Sequence, residues 1–117
     1  MTTIVQIALL KSGSYESTKM VARSKIYAQE TKTITTTADQ FTDVTATAAL
    51  LGGNVAEGIF RVTVSSDTAG ECALVLFDTN PTAVRTPEAS IVGHLCPPGV
   101  YEYQVTKANE MASVILL

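Results

Sequence analysis

Three side chains in this sequence have a type and spacing that could do chemistry: His94, Cys96 and Cys72. His94 is the sole histidine. Along a strand, the His-x-Cys spacing places His94 and Cys96 on one face. If Cys72 lay on a neighbouring strand, the three would supply zinc ligands, yet a structural zinc site takes four, usually in closely spaced pairs. The pattern therefore favours a histidine at a strand end beside a proline turn. A Cys-His nucleophilic dyad would draw on the same residues, but without an adjoining strand-to-helix junction or orienting motif. The serines lack a Gly-x-Ser-x-Gly setting, and one histidine would have to serve as base for any of them. Gly52-Gly53 lacks the pattern that cradles phosphate and reads as a turn. Eleven acidic residues offer no pair selected by spacing for glycosidase work. No catalytic residue, cofactor or metal is assigned, and the reading is of a non-enzyme.

Sugar binding by stacked rings is weakly supported, since aromatic residues make up 6% of the chain and tryptophan is absent. Tyr15, Tyr27, Tyr101 and Tyr103 are the available rings; Tyr15 is expected to be exposed, and Tyr101 and Tyr103 to pack in a core or interface. Eight basic residues against eleven acidic ones, scattered along the chain, give a net charge of −3 and no basic patch for nucleic acid. No apolar run approaches the ~20 residues of a membrane span, and the N-terminus lacks the basic region of a signal peptide. Synthesis in a cytoplasm is expected. Cys72 and Cys96 each sit in an apolar run and are expected to be buried free thiols, although a disulfide is possible if their strands are neighbours.

The elements that must hold these residues read as strands. A chain of 117 residues, 46% hydrophobic and 16% charged, suits one packed domain. Seventeen threonines, with frequent Val and Ile, favour a pleated sheet because branching at Cβ restricts rotamers in helices. Gly58 to Ser65 alternates, with Phe60, Val62 and Val64 facing a core and Arg61, Thr63 and Ser65 facing water. Asp67 to Gly70 supplies turn chemistry, and Glu71 to Phe77 resumes as a run apolar on both faces, as in a central strand; the two read as a hairpin. Asp78 to Glu88, with two prolines, reads as an exposed connection. Ser90 to Leu95 reads as a strand. Pro97-Pro98-Gly99 predicts a type II turn. Val100 to Thr106 alternates again, with Tyr101, Tyr103 and Val105 on one face. Lys107 to Glu110 turns. Met111 to Leu117 is so apolar that it must be covered or paired.

The first half is less patterned. Thr31 to Thr37 and Val44 to Leu51 lean towards strand, although the alanines of the second would suit a helical turn. Lys19 to Tyr27 leans the same way, because Met20 stands where a capping box started by Ser17 needs an acid or amide. The expected fold is an all-β, antiparallel, jelly-roll-like sandwich in a single domain. Residues 1–30 form an N-terminal strand or arm with the first strands, and residues 31–117 form the sandwich core.

Phe60-Arg-Val-Thr-Val64, Leu74-Val-Leu-Phe-Asp78, Cys96-Pro-Pro-Gly-Val100 and Ser113-Val-Ile115, in that order, resemble small virion proteins of tailed bacteriophages that decorate or cement the capsid. The resemblance covers about half the chain. It implies a homo-oligomer, trimer or dimer, on the capsid surface of a virion, bound to the major coat protein at coat-subunit junctions. A tail, fibre or head-tail connector component is the alternative within virions; a carbohydrate-binding or adhesin-like module, using Leu51 to Glu57 and Asp78 to Glu88, is the alternative outside them. An apolar terminal strand can add to a neighbour's sheet edge. Ile4, Val5, Ile7, Leu9 and Leu10 near one terminus, with Ile115 and Leu117 at the other, are therefore the candidate partner-binding residues. The competing reading makes Thr2 to Leu10 the first strand of the protein's own sandwich.

Overall fold

The computed structural model describes residues 2–16, 19–22, 25–83 and 93–117. Two antiparallel sheets pack face to face. The larger contains β1 (Thr3–Glu16), β2 (Lys19–Ala22), β3 (Ala28–Thr33), β5 (Gly58–Ser66) and β8 (Gly99–Gln104). The smaller runs β4 (Asp39–Gln40), β9 (Met111–Leu116), β6 (Ala73–Asp78), β7 (His94–Cys96). The chain is an all-β sandwich.

Period-two alternation builds the core. Val5, Ile7 and Leu9 of β1 stand opposite Val64, Val62 and Phe60 of β5, all on the inner face and all buried. Across the gap, Ala73 and Val75 of β6 and Ala112 and Val114 of β9 close on them. The Phe60 and Phe77 rings, one from each sheet, stack with centroids 4.8 Å apart. Phe41, Val44, Ala46 and Leu51 from the connection before β5 seal the core.

Several expectations are corrected. Asp67 to Gly70 is a turn, with Gly70 at φ 85°, but β5 and β6 are not a hairpin. β5 lies between β1 and β8, and β6 between β9 and β7, so the turn carries the chain from one sheet to the other. Each strand must turn one apolar face inward, and facing sheets satisfy both. Val44 to Leu51 is not a strand beyond a single bridge from Ala46 to Glu110. A short helix, α1 (Ala48–Leu51), follows it, capped by Thr47, whose Oγ1 accepts from the Leu50 N–H at 3.2 Å, and ended by Gly52 at φ 69°. Gly99 opens β8 at φ 155°, not at the φ near +80° of a type II turn.

β6 is apolar on both faces because both are covered. On its outer side Leu74 packs with Ala83 and Ile115, beneath the start of the proline-rich connection. Ala83 donates its N–H to the buried Ser113 Oγ at 2.9 Å, and Gln40 Nε2 donates to the Pro81 carbonyl at 2.8 Å. Pro81 and Ala83 are therefore buried, where an exposed connection was expected. The remainder of that connection, the first part of the strand expected at Ser90 to Leu95, and the side chain of Tyr15 fall outside the described residues. β9, paired with β4 and β6, is the covered strand that its apolar sequence demands.

Candidate functional site

β7 and β8 are joined by Pro97-Pro98 and lie on the same side of the sandwich, one in each sheet. His94 and Cys96 share the inner face of β7, as their spacing requires, opposite Val75 and Ala73 of β6. The exposed His94 ring stacks on Tyr103 of β8, with centroids 4.2 Å apart and planes 29° apart. Phe77 meets both Tyr103, at 5.3 Å, and Phe60, the cross-strand neighbour of Tyr103, at 4.8 Å. Rings from both sheets thus fill the open side of the core.

The chemistry available here is limited. Cys96 is buried, its Sγ 3.4 Å from the Tyr103 hydroxyl and 3.6 Å from the His94 carbonyl. Burial pushes the Cys96 thiol above its ordinary value, with the Tyr103 hydrogen bond opposing. Burial likewise pushes the Tyr103 hydroxyl up, helped by its bond to Cys96. A thiol held protonated is a poor nucleophile and a poor ligand. Cys72 does not join it. Ala73 is the residue opposite Cys96, and Cys72, which precedes β6, forms no bond to it but adds to the upward push on its thiol. Both cysteines are free, and Cys72 is only half-buried. No cluster of three metal-ligating residues occurs among the described residues.

The candidate partner-binding residues do not form one surface. Val5, Ile7 and Leu9 lie in the core, because β1 is the central strand between β3 and β5. Leu10 is buried on the outer face opposite Ile59, and Ile115 is buried beneath Ala83. Ile4 is 38% exposed on the outer face of the larger sheet. Leu117 is half-buried on the smaller sheet, its N–H held by the Cys72 carbonyl at 3.0 Å. Thr3–Glu16 is thus an integral strand of the larger sheet, as the competing reading of Thr2 to Leu10 had it.

Two features went unread in the sequence. β5 ends opposite Lys11 and β3 opposite Leu9, but β1 runs on to Glu16. From Ser12 onward it pairs with β2 alone among the described residues. After a register shift between Ser12 and Ser14, β1 and β2 thus continue as a two-stranded ribbon past the ends of β3 and β5, at the end of the sandwich that carries α1 and the turn before β9. The second feature is the free edge of β8, whose one strand partner among the described residues is β5. The edges formed by β3, β4 and β7 are protected. β3 turns Glu30 and Lys32 inward, and Lys32 reaches across the sandwich to Asp39 Oδ1 at 3.1 Å and the Gln40 carbonyl at 2.9 Å. β4 is two residues long, and β7 is three residues bounded by Gly93 and Pro97.

Compared with known proteins, the chain matches no family model, no curated protein and no solved structure.

Proposed function

We propose that this protein is a structural virion subunit that decorates or cements a bacteriophage capsid by binding the major coat protein at coat-subunit junctions. The observation that carries the reading is the β1–β2 ribbon. A two-stranded ribbon is marginal in water, so one built as an extension of a central strand is suited to completion by a neighbouring surface. The resemblance of four segments to small phage virion proteins suggests the virion context, and the sandwich supplies a rigid body to hold the ribbon. Many weak copies on a repeating shell accumulate stabilisation by avidity, with no chemistry required.

The test has two parts. Particles of the virus that encodes the chain, purified and resolved by denaturing electrophoresis and mass spectrometry, should contain it in simple ratio to the coat protein. Its absence from particles, or a few copies confined to the tail, refutes the proposal. A variant in which residues 12–22 are replaced by Asn-Gly should keep its far-ultraviolet circular dichroism and lose binding to undecorated capsids. Retained binding removes the ribbon from the mechanism. Deleting residues 2–10 would be uninformative, since it removes the central strand of the larger sheet.

A further inference from the structure

We infer that two copies of this chain associate through β8, edge to edge about a two-fold axis, so that the larger sheets of both become one continuous sheet. The inference stands on strand geometry and holds whether or not the chain is found on virions.

Backbone direction decides what β8 offers. The Val105 N–H donates to the Gly58 carbonyl at 2.9 Å, and Gly58 is the residue opposite Val105 in the register of Ile59 with Gln104. In an antiparallel pair the backbone groups of successive residues point alternately to the two sides. Val105, Tyr103 and Tyr101 therefore bond to β5, and the N–H and C=O of Val100, Glu102 and Gln104 point to the open side.

That edge lacks the devices that keep strands apart. β8 is six residues long and contains no proline, no lysine and no bulge. Its one charge, Glu102, is neutralised by Arg61 of its own chain, with Arg61 Nη2 2.8 Å from Oε2. On the outer face of β8 itself, Val100 is 63% exposed.

A second copy fits this edge because β8 is complementary to itself. A two-fold axis perpendicular to the sheet pairs residues of equal parity, which keeps inner faces inner. An axis at Glu102 would set like charges opposite each other, which is unfavourable. An axis at Tyr103 sets Glu102 opposite Gln104 of the second copy, and the converse by symmetry. Both residues have outward-pointing backbone groups, so each pair exchanges two hydrogen bonds. The overlap is then centred on Tyr103 opposite itself and is confined to β8, because the Thr106 N–H, beyond the strand end, is already held by Glu110 Oε1 at 2.9 Å. The aromatic side of each core, including the exposed His94 ring, comes to face the other copy.

The register makes the test specific. The 117-residue chain should be a dimer by light scattering and sedimentation. Glu102→Pro removes an outward N–H, which an edge strand tolerates, together with the exposed ion pair to Arg61; it should give a monomer with unchanged circular dichroism. Should that variant fail to fold, charge substitutions at the facing position decide. Gln104→Glu should raise the dimer dissociation constant, and Gln104→Lys should lower it, each by about 2- to 30-fold, the range that two symmetric cross-strand pairs command. A monomer at concentrations up to about 1 mM, a trimer, a dimer indifferent to Glu102→Pro, or the same shift from both Gln104 substitutions would each overturn the inference.

Discussion

Gly58→Ala should destabilise the protein through steric overlap alone. Gly58 is buried at the start of β5 with φ −73° and ψ 146°, a conformation open to any residue, so backbone strain plays no part. A Cβ built there meets Val105 Cγ2 at 2.7 Å, Leu51 Cδ1 at 2.8 Å and the Val55 carbonyl oxygen at 3.1 Å. The three belong to three different segments, and one is backbone, so no single rotamer change clears the site. Overpacking of this kind costs about 1–3 kcal/mol. Against it stands about 0.4–1 kcal/mol gained because alanine restricts the unfolded chain. A net loss of about 1–2 kcal/mol is expected. It would appear as a lower urea midpoint at unchanged m-value. The cause is checked by a double-mutant cycle with Val105→Ala. Removing Cγ2 should relieve part of the overlap, giving a favourable coupling of at least about 0.5 kcal/mol. A Gly58→Ala protein as stable as the parent, or a coupling near zero, would refute the steric account.

Phe41→Ala should cost about 3–5 kcal/mol, since the ring is fully buried between the sheets; a loss under about 1 kcal/mol in a urea titration would show that the site collapses around the truncation. Asp78 at the end of β6 is held below its ordinary 3.8 by Lys107 Nζ at 2.7 Å and by the Thr79 N–H, and Lys107 is raised above 10.5 by the same pair. The depressed Asp78 contributes stability that is present above the ordinary carboxylate value and lost as pH falls through the folded one; the raised Lys107 contributes stability lost as pH rises through its folded value. The stability gap between parent and Asp78→Asn should therefore close as pH falls below 3.8, and a gap constant with pH would contradict the pairing. In the folded protein Ellman's reagent should label half-buried Cys72 before Cys96, whose thiol is buried and raised; equal rates would place Cys96 outside the core.

Where side chains alternate, the sequence disclosed the structure. Phe60, Val62 and Val64 face inward because period two is local information that no later contact can reverse without a register slip. The both-sided apolar character of Leu74 and Val75 also marked a covered strand. Sheet membership was not legible, because a turn such as Asp67 to Gly70 has the same chemistry whether it returns along one sheet or crosses to another. The short helix at Ala48 was readable in principle, from Thr47 and Gly52 at its two caps, but Val44 and Thr45 favoured strand. At the aromatic side, His94 and Cys96 on one face followed from spacing, whereas their partner Tyr103 did not. It lies on the opposite sheet, and only the assembled sandwich brings the two edges together.

The ribbon and the β8 edge are independent features, yet their directions are coupled. β1 and β8 are both antiparallel to β5, so they run parallel to each other. A two-fold axis perpendicular to the sheet reverses strand direction between copies. The ribbon of one copy must then project from the opposite end of the dimer to that of the other. A β8-linked dimer is therefore bivalent, with two identical contacts facing away from each other and separated by a rigid continuous sheet. Such an object bridges two sites on a repeating lattice and cannot place both ribbons on one. Breaking β8 pairing with Glu102→Pro should weaken attachment to capsids through lost avidity while leaving each ribbon contact intact, so the monomer should still bind and wash off faster. Trimming the ribbon in one half of a mixed dimer should do the same. If Glu102→Pro instead abolished binding outright, the edge would itself be the capsid contact, and the bivalent arrangement would fall.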